Sequence, residues 1–207
     1  RTVAAMAFDD DGDAAVVFGG FRYTADSGGR ATFFDDTWFL ELAGTDGAEW
    51  VKPPFTAHKP PPRGGASMVY QPRTGAAGRM IVFGGYDDYQ GFNDVWSLDL
   101  TPGNRIWTEL GKSCSPKPTP RDRHVAVYDP VGERMLVFGG WQRARNTDST
   151  IDELWAFDLS DRGGCWRELD QPGDAPLSLA DLAVGYDPCP TARRMVIFGG
   201  VSGWESD

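Results

Sequence analysis

The sequence has little that would build helices or membrane spans. No apolar pattern of period 3.6 continues for three turns without a glycine or a proline. No apolar run approaches the length of a bilayer span, and the first apolar stretch, "AAVVF", is too short for a signal peptide. We therefore expect a soluble protein without membrane insertion, and a cytoplasmic location is favoured over export.

Basic residues are also scarce. Twenty Lys and Arg residues stand against 30 Asp and Glu residues, and the formal net charge is −10. Because proteins bind nucleic acids mainly by neutralising phosphates with Lys and Arg, this balance argues against a nucleic-acid partner. It argues in the same way against binding to an anionic membrane surface.

Cysteine is rare, and the three cysteines have no regular spacing. The three residues Cys114, Cys165 and Cys189 lack the spacing of a zinc site. We therefore expect no metal. An odd count means that at least one thiol is free or pairs outside the chain, so counting alone does not decide the redox compartment.

Glycine, proline and tryptophan, in contrast, are abundant, with 26, 15 and 8 copies in 207 residues. The length is ample for one domain with a substantial core. A composition with many turn formers and many large aromatic residues favours an all-β fold over a helical bundle.

Four segments of the chain repeat one pattern, an apolar strand that ends in Gly-Gly. They read "VVFGGF" at 16–21, "IVFGGY" at 81–86, "LVFGGW" at 136–141 and "VIFGGV" at 196–201. A shorter apolar strand that ends in an aromatic residue precedes each of them, and a turn rich in Asp, Pro and Gly lies between the two. This arrangement predicts a β-hairpin in each unit.

A second hairpin follows in three of the units, after a loop of variable length. Its first strand alternates with period two in "DDTWFLEL", "NDVWSLDL" and "DELWAFDL". A second tryptophan follows the first by 11 or 12 residues, which indicates a fixed register. Each unit therefore predicts four antiparallel strands, a to d. Such sheets bury both faces only by stacking around an axis, as in a β-propeller.

These markers, recurring in this order, resemble the kelch repeat. The resemblance implies an all-β propeller of four-stranded antiparallel blades, with three complete blades and a half blade in this chain. The predicted ranges are about 1–60, 61–118, 119–178 and 179–207. Because propellers close with 4 to 8 blades, we expect these units to be part of a larger propeller.

The repeated residues are interpreted as structural. Glycine pairs allow close backbone approach and φ angles that other residues avoid, and the tryptophans bury large areas between blades. The acid two residues before the first tryptophan (Asp36, Asp94 or Glu153) is expected to accept hydrogen bonds from backbone or an arginine. The structural set comprises Gly19, Gly20, Gly84, Gly85, Gly139, Gly140, Gly199, Gly200, Trp38, Trp50, Trp96, Trp107, Trp155 and Trp166.

An acidic run, "FDDDGD" at 8–13, has the composition of a calcium loop but the position of a turn. It aligns with "YDPVGE" and "YDPCPT", the hairpin turns of later units, and Asp-Gly is a preferred turn pair. It also lacks the spaced ligands and terminal Glu of a helix-loop-helix calcium site. We therefore expect a solvated turn.

The longest and least regular segments are the b–c loops and the connections into strand a, which we call the loop face. Long irregular loops usually carry binding, and Arg and aromatic residues are enriched at interface hot spots. Arg63, Arg121 and His124 have a second interpretation, because each could brace the fold instead. The candidate binding residues are Arg22, Tyr23, Arg63, Tyr86, Asp87, Tyr89, Arg121, Arg123, His124, Trp141, Arg143, Arg145 and Trp204.

On the opposite face, Cys165 lies in the predicted c–d turn of the third unit and Cys189 in the a–b turn of the fourth. A Cys165–Cys189 disulfide would fit this placement and would imply an oxidising compartment. It requires Cα atoms within about 7 Å of each other.

The first functional hypothesis is a protein-interaction propeller, a scaffold that binds another protein through an acidic peptide or loop and is part of a larger complex. The alternatives are a catalytic or carbohydrate-binding propeller similar to galactose oxidase or a sialidase, and a rigid structural subunit. The chain has only His58 and His124 as imidazole ligands and no phosphate loop or G-x-S-x-G elbow. The sequence therefore favours a non-enzymatic role, and no catalytic residue or cofactor is expected.

Overall fold

The computed structural model of the protein describes residues 1–23, 30–43, 47–55, 58–144, 147–160, 164–189 and 193–202. Within these ranges the chain forms strands, turns and bends but no helix. Its sheets are antiparallel and are built as three blades of four strands and a half blade of two. The all-β propeller prediction is therefore confirmed.

Blade 1 contains β1-β2-β5-β6 in that spatial order, and β3 pairs with β4 beside it. The bounds are β1 Ala5–Asp9, β2 Ala14–Phe18, β3 Phe21–Tyr23, β4 Ala31–Phe33, β5 Thr37–Ala43 and β6 Gly47–Val51. Blade 2 contains β7 Ser67–Gln71, β8 Arg79–Phe83, β9 Val95–Asp99 and β10 Trp107–Leu110.

Blade 3 contains β12-β13-β16-β17, and a small sheet β11-β14-β15 lies at its loop face. The bounds are β11 Arg121–Asp122, β12 Val125–Asp129, β13 Arg134–Phe138, β14 Trp141–Ala144, β15 Thr147–Thr150, β16 Leu154–Asp158 and β17 Trp166–Leu169. The half blade pairs β18 Ala180–Asp187 with β19 Arg194–Val201. The exact boundaries between blades stay a prediction.

The core lies between the blades. Phe18 of blade 1 packs on Trp107 of blade 2, with ring centroids 5.2 Å apart. Phe83 of blade 2 packs on Trp166 of blade 3 at 4.7 Å. Because large aromatic side chains bury much apolar area, these contacts hold neighbouring sheets face to face.

The Gly-Gly pair of each complete blade closes the joint to the next blade. Gly84 and Gly85 have φ angles of +65° and +98°, a region that glycine adopts at little cost. The Gly85 N–H donates to the carbonyl oxygen of Arg121 in the connection to blade 3, at 2.8 Å. A Cβ atom at Gly84 would lie 2.7 Å from the same oxygen. Only glycine therefore lets the next blade approach this closely.

A second series of contacts runs along the inner edge of the arc, where the first strands of neighbouring blades lie side by side. Gly65 N–H donates to Val3, Arg123 N–H donates to Gly65, and Asp181 N–H donates to Arg123, each to the backbone carbonyl, at 2.8 to 3.1 Å. All four residues have positive φ. We call them the inner ring, because one equivalent residue from each unit joins each blade to the next.

The outward faces of the first and last units carry exposed apolar side chains. On blade 1, Met6 is 66% and Trp50 is 53% exposed, and on β19 Phe198 is 82% exposed. Trp107 and Trp166, in contrast, are buried against neighbouring blades. Trp50 therefore departs from the expected burial, because no described blade packs on its side of blade 1.

The described residues include no helix long and apolar enough to span a membrane.

Candidate functional site

The loop face is formed where the connection into each blade meets the b–c loop of the same blade. Thr2 pairs with Phe21 in the first unit, and Gly64 pairs with Tyr86 in the second. In the third unit β11 pairs with β14. The two kinds of segment that the sequence assigned to one face are thus hydrogen-bonded to each other.

Arg63 and Arg121 are fully buried, which corrects their prediction as partner-binding residues. Arg63 donates from both terminal nitrogens to Asp94, at 2.6 and 2.9 Å, and also to the Gly84 carbonyl at 3.0 Å. Within blade 3, Arg121 donates from one terminal nitrogen to Glu153 at 2.5 Å and from the other to the Gly139 carbonyl at 3.3 Å. Both guanidinium groups are buried and hydrogen-bonded within a blade, so they present no donor at the surface.

The acid in each of these pairs has a second donor. Asp94 accepts the indole N–H of Trp96 at 2.7 Å. Burial alone would raise the pKa of Asp94, but hydrogen bonds and charge from Arg63 and the bond from Trp96 lower it. The acid two residues before the first tryptophan therefore accepts from an arginine, as the sequence predicted.

Blade 1 contains a third copy of this brace that the sequence analysis missed. Arg1 is paired with Asp36 at 2.7 Å, and Trp38 donates to the same carboxylate at 2.8 Å. The signal was present, because each brace arginine lies seven residues before the aromatic that ends strand a. These positions are Arg1 and Phe8, Arg63 and Tyr70, and Arg121 and Tyr128.

His124 and Trp141 are also buried, so the structure corrects their prediction as contact residues. His124 Nε2 shares a hydrogen bond of 2.8 Å with Ser67 Oγ, and its ring packs on Phe83 at 5.0 Å. Burial and the nearby charge of Arg121 lower the pKa of His124 to about 3. This imidazole is therefore a neutral part of the joint between blades 2 and 3.

Other predicted residues remain at the surface. Tyr23 is 65% and Tyr89 is 86% exposed, and Arg22 is exposed beside Tyr23. Asp87 is half-buried and shapes its turn, since its carboxylate accepts the N–H groups of Tyr89 and Gln90 at 2.8 Å. These side chains are available to a partner, apart from Asp87, which mainly holds the loop.

Tyr86 belongs to an aromatic cluster that joins the loops of blades 1 and 2. Its ring lies 5.3 Å from Phe33 and 6.0 Å from Phe21, and Phe21 in turn lies 5.2 Å from Tyr23. Tilted and edge-on ring pairs at these distances are favourable beyond the area that they bury. The cluster therefore supplies a rigid base for the exposed Tyr23.

Arg123 lies where the loop face meets the inner ring. Its Nη1 donates to Asp181 at 3.2 Å, and Tyr86 is a further hydrogen-bond partner. Burial would lower the pKa of Arg123, but the charge of Asp181 and the bonds to Tyr86 and Asp181 raise it. The φ angle of Arg123 is +53°, a region that costs a non-glycine residue about 1–3 kcal/mol.

Three predicted binding residues fall at or beyond the limits of the described chain. Arg143 lies in β14 and is opposite Asp148 of β15 in the register. Arg145 and Trp204 lie outside the described residues.

The predicted Cys165–Cys189 disulfide is wrong. Cys165 is bonded to Cys114, with Cα atoms 5.4 Å apart. The chain after β10 runs against the c–d turn of blade 3, and Cys114 Sγ lies 3.0 Å from the Gly164 carbonyl oxygen. Cys189 lies in the turn that Asp187 closes by accepting its N–H at 3.0 Å.

The acidic run at 8–13 forms a turn. Asp9 accepts the N–H groups of Asp11 and Gly12, at 3.2 and 3.1 Å. Asp11 accepts the hydroxyl of Tyr70 in blade 2, a contact between blades that the sequence analysis missed. Across the described ranges, no three His, Cys, Asp or Glu side chains are grouped so that they could hold a metal ion.

Comparisons with known proteins agree with this architecture. The chain is 29% identical to the host cell factor homolog hcf-1 of Caenorhabditis elegans over 92% of its length, and 29% identical to adagio protein 3 of Arabidopsis thaliana, also over 92%. It is 30% identical over 74% of its length to the dynein alpha chain of the flagellar outer arm of Chlamydomonas reinhardtii. The chain spans 25%, 28% and 3% of these relatives, respectively.

A solved structure titled "Structure of YjhT" matches the fold with a TM-score of 0.64 and 19% identity. The match covers 89% of this chain and 56% of that one. Residues 2–207 match the family model described as the KLHDC2/KLHL20/DRC7 Kelch-repeats domain. Together with the repeated blades, this shows that the chain belongs to the kelch-repeat family.

Proposed function

We propose that the protein is an interaction scaffold whose loop face binds an acidic peptide or loop of another protein within a larger complex. The observation that carries the proposal is a difference in exposure between the recurring arginines of this face and its arginine and tyrosines that do not recur. The arginines that recur at one position of the repeat are paired with an acid of their own blade, and those of blades 2 and 3, Arg63 and Arg121, are fully buried. Arg22, Tyr23 and Tyr89, which have no equivalent in the other units, are exposed.

The exposed set has the chemistry of a binding surface. Tyrosine offers a large rigid contact area with a polar end, and arginine binds carboxylates through paired N–H donors. The aromatic cluster under Tyr23 removes much of the entropy cost of ordering it on binding. One relative, from Drosophila melanogaster, is named as a homolog of the leucine-zipper-like transcriptional regulator 1, and it is 28% identical over 91% of this chain.

A peptide probe tests this proposal. A fluorescein-labelled peptide of alternating Glu and Ala, blocked at both ends, is titrated with the protein, and a peptide with Gln in place of Glu is the reference. We expect tighter binding of the Glu peptide, and a loss of about tenfold or more in the double variant R22A/Y23A, since one charge-assisted contact and one aromatic contact are removed.

The control variant removes one arginine and one exposed apolar side chain away from the loop face. Val131 is 66% exposed in the a–b turn of blade 3, and Arg167 is exposed on β17. The variant V131A/R167A should bind the Glu peptide within twofold of the wild type. Equal losses in both double variants, or equal affinity for the Glu and Gln peptides, would rule the proposal out.

A further inference from the structure

Arg123 and Asp181 form an ion pair that the fold does not need in order to join blades 3 and 4. Their backbones are already joined, because Asp181 N–H donates to the Arg123 carbonyl at 3.1 Å. Val3 and Gly65 occupy the equivalent positions in the first two units and complete the inner ring without any charge. The side-chain pair is therefore an addition to the repeat pattern.

Both partners of the pair have a backbone conformation that favours glycine. Arg123 has a φ angle of +53° and Asp181 one of +55°, whereas Gly65 adopts +68° at the same position. Non-glycine residues kept at strained positions cluster at functional sites, because a strained position has to be maintained by its surroundings. The uncharged Val3 has a similar φ of +47°, so the position imposes this conformation whatever its side chain, and the two charges are an addition to it.

The guanidinium of Arg123 is held from one side and open on another. The carboxylate of Asp122, which is fully buried, lies 3.5 Å from its Nε. On the other side the partner is Asp181, at 3.2 Å, with side-chain exposures of 30% for Arg123 and 41% for Asp181. An ion pair with this exposure is weak and exchanges readily with other carboxylates.

We propose that Asp181 is an internal substitute for a partner's carboxylate, which displaces it from Arg123 when the loop face binds. This inference rests on the proposed function, because it names the residue that recognises the acidic partner. Asp122 and Tyr86 keep the guanidinium oriented, and Asp181 holds it in the free protein. Arg123 thereby determines specificity for acidic ligands, and Asp181 sets how tightly they bind.

The inference predicts effects of opposite sign for the two partners. Substitution Arg123→Gly removes the recognising group and should weaken binding of the Glu peptide about tenfold or more. Substitution Asp181→Asn removes the internal competitor and should tighten binding by about twofold to fivefold, the worth of an exposed ion pair. A pair that only joined two blades would weaken binding in both variants, because both would loosen the same contact.

Two controls separate recognition from general charge and from misfolding. Asp88 is exposed near Tyr89, and Asp88→Asn changes the net charge as Asp181→Asn does without touching Arg123. The double variant R123G/D181N should show no tightening over R123G, since Asp181 acts through Arg123. Gly65 shows that glycine fits the backbone at this position, but Arg123 also faces the fully buried Asp122. The thermal midpoint of R123G is therefore measured beside its binding, and its affinity is compared at a temperature where the variant is folded.

The measurement is fluorescence anisotropy with the Glu and Gln peptides on the wild type and these four variants. Binding of the Glu peptide that is the same in wild type, R123G and D181N overturns this inference alone. Weaker binding in D181N, or equal tightening in D88N and D181N, also overturns it. Failure of every protein, D181N included, to prefer the Glu peptide overturns both the inference and the proposed function.

Discussion

The brace between Arg63 and Asp94 gives a sharp prediction for the substitution Asp94→Ala. The Arg63 side chain is 0% exposed, and its donors reach both Asp94 oxygens, the Gly84 carbonyl and the Pro61 carbonyl. Its guanidinium also lies 4.0 Å from the centre of the Phe92 ring. Removing the carboxylate leaves a buried positive charge without its counter-charge, which costs about 3–5 kcal/mol.

Blade 1 supplies a matched control. In the substitution Asp36→Ala the lost partners are Arg1, Trp38 and the exposed Lys52, and in Asp94→Ala they are Arg63 and Trp96. Arg1 is 25% exposed, however, and can return to solvent. Because exposed ion pairs contribute about 0–1 kcal/mol, we expect the loss in free energy of unfolding to be about 2–5 kcal/mol smaller for Asp36→Ala.

Thermal and guanidinium unfolding of the two variants measure this difference. At about 2–4 °C per kcal/mol for a chain of this size, Asp94→Ala should lower the melting temperature by roughly 6–20 °C. The double variant R63M/D94L should recover most of the loss, because no unpaired charge is left in the interior. An Asp36→Ala variant that is destabilised as much as Asp94→Ala would refute the reasoning from burial.

Three further predictions concern other parts of the fold. Reducing the Cys114–Cys165 disulfide, with its sequence separation of 51, should lower the free energy of unfolding by about 4 kcal/mol in the chain-entropy account; equal guanidinium midpoints with and without dithiothreitol would contradict this. Gly84→Ala should cost far more than Gly75→Ala in the melting temperature, because both have positive φ but a Cβ clashes only at Gly84; similar losses would show that only the φ angle matters. Burial alone would raise the pKa of Asp36, but its hydrogen bonds lower the pKa from 3.8 to about 2. Its contribution to stability is therefore present above about pH 4 and is lost as the pH falls toward 2. The free energy of unfolding of Asp36→Asn should change less over this pH window than that of the wild type.

The repeat could be predicted from the sequence because its markers have purely local causes. The Gly-Gly pairs end a strand, and the tryptophans alternate along one, so both are visible in short windows. The brace acid was also predictable, since Asp94 lies two residues before Trp96. Each of these markers lies at a fixed place in the repeat, and that place determines its structural role.

The bracing role of Arg63 and Arg121 was only the second interpretation of the sequence, because their partners lie more than 30 residues away. A residue-type argument classed these arginines with the exposed Arg22, because the sequence predicted all three to lie in loops or connections. Their register against the aromatic that ends strand a distinguishes them, since only the brace arginines recur at it. A residue that recurs in every unit is therefore a better candidate for bracing than for binding.

The disulfide was misassigned for a geometric reason. The sequence argument paired Cys165 with Cys189 because both lie in predicted turns on the same face of adjacent blades, and it took no account of sheet twist. Sheets twist progressively from strand to strand, so the outermost strand is rotated furthest from the first. The segment after β10 consequently meets the c–d turn of blade 3, and Cys114 becomes the partner of Cys165.

The inner ring has a consequence for how such a protein diversifies. Its four positions are specified by backbone hydrogen bonds alone, and valine, glycine, arginine and aspartate all occupy them with similar φ angles. The curvature of the arc is thus independent of what the side chains at these positions are. Repeated units can therefore differ in the charge of their side chains at the centre of the loop face, while the backbone hydrogen bonds between the blades stay the same.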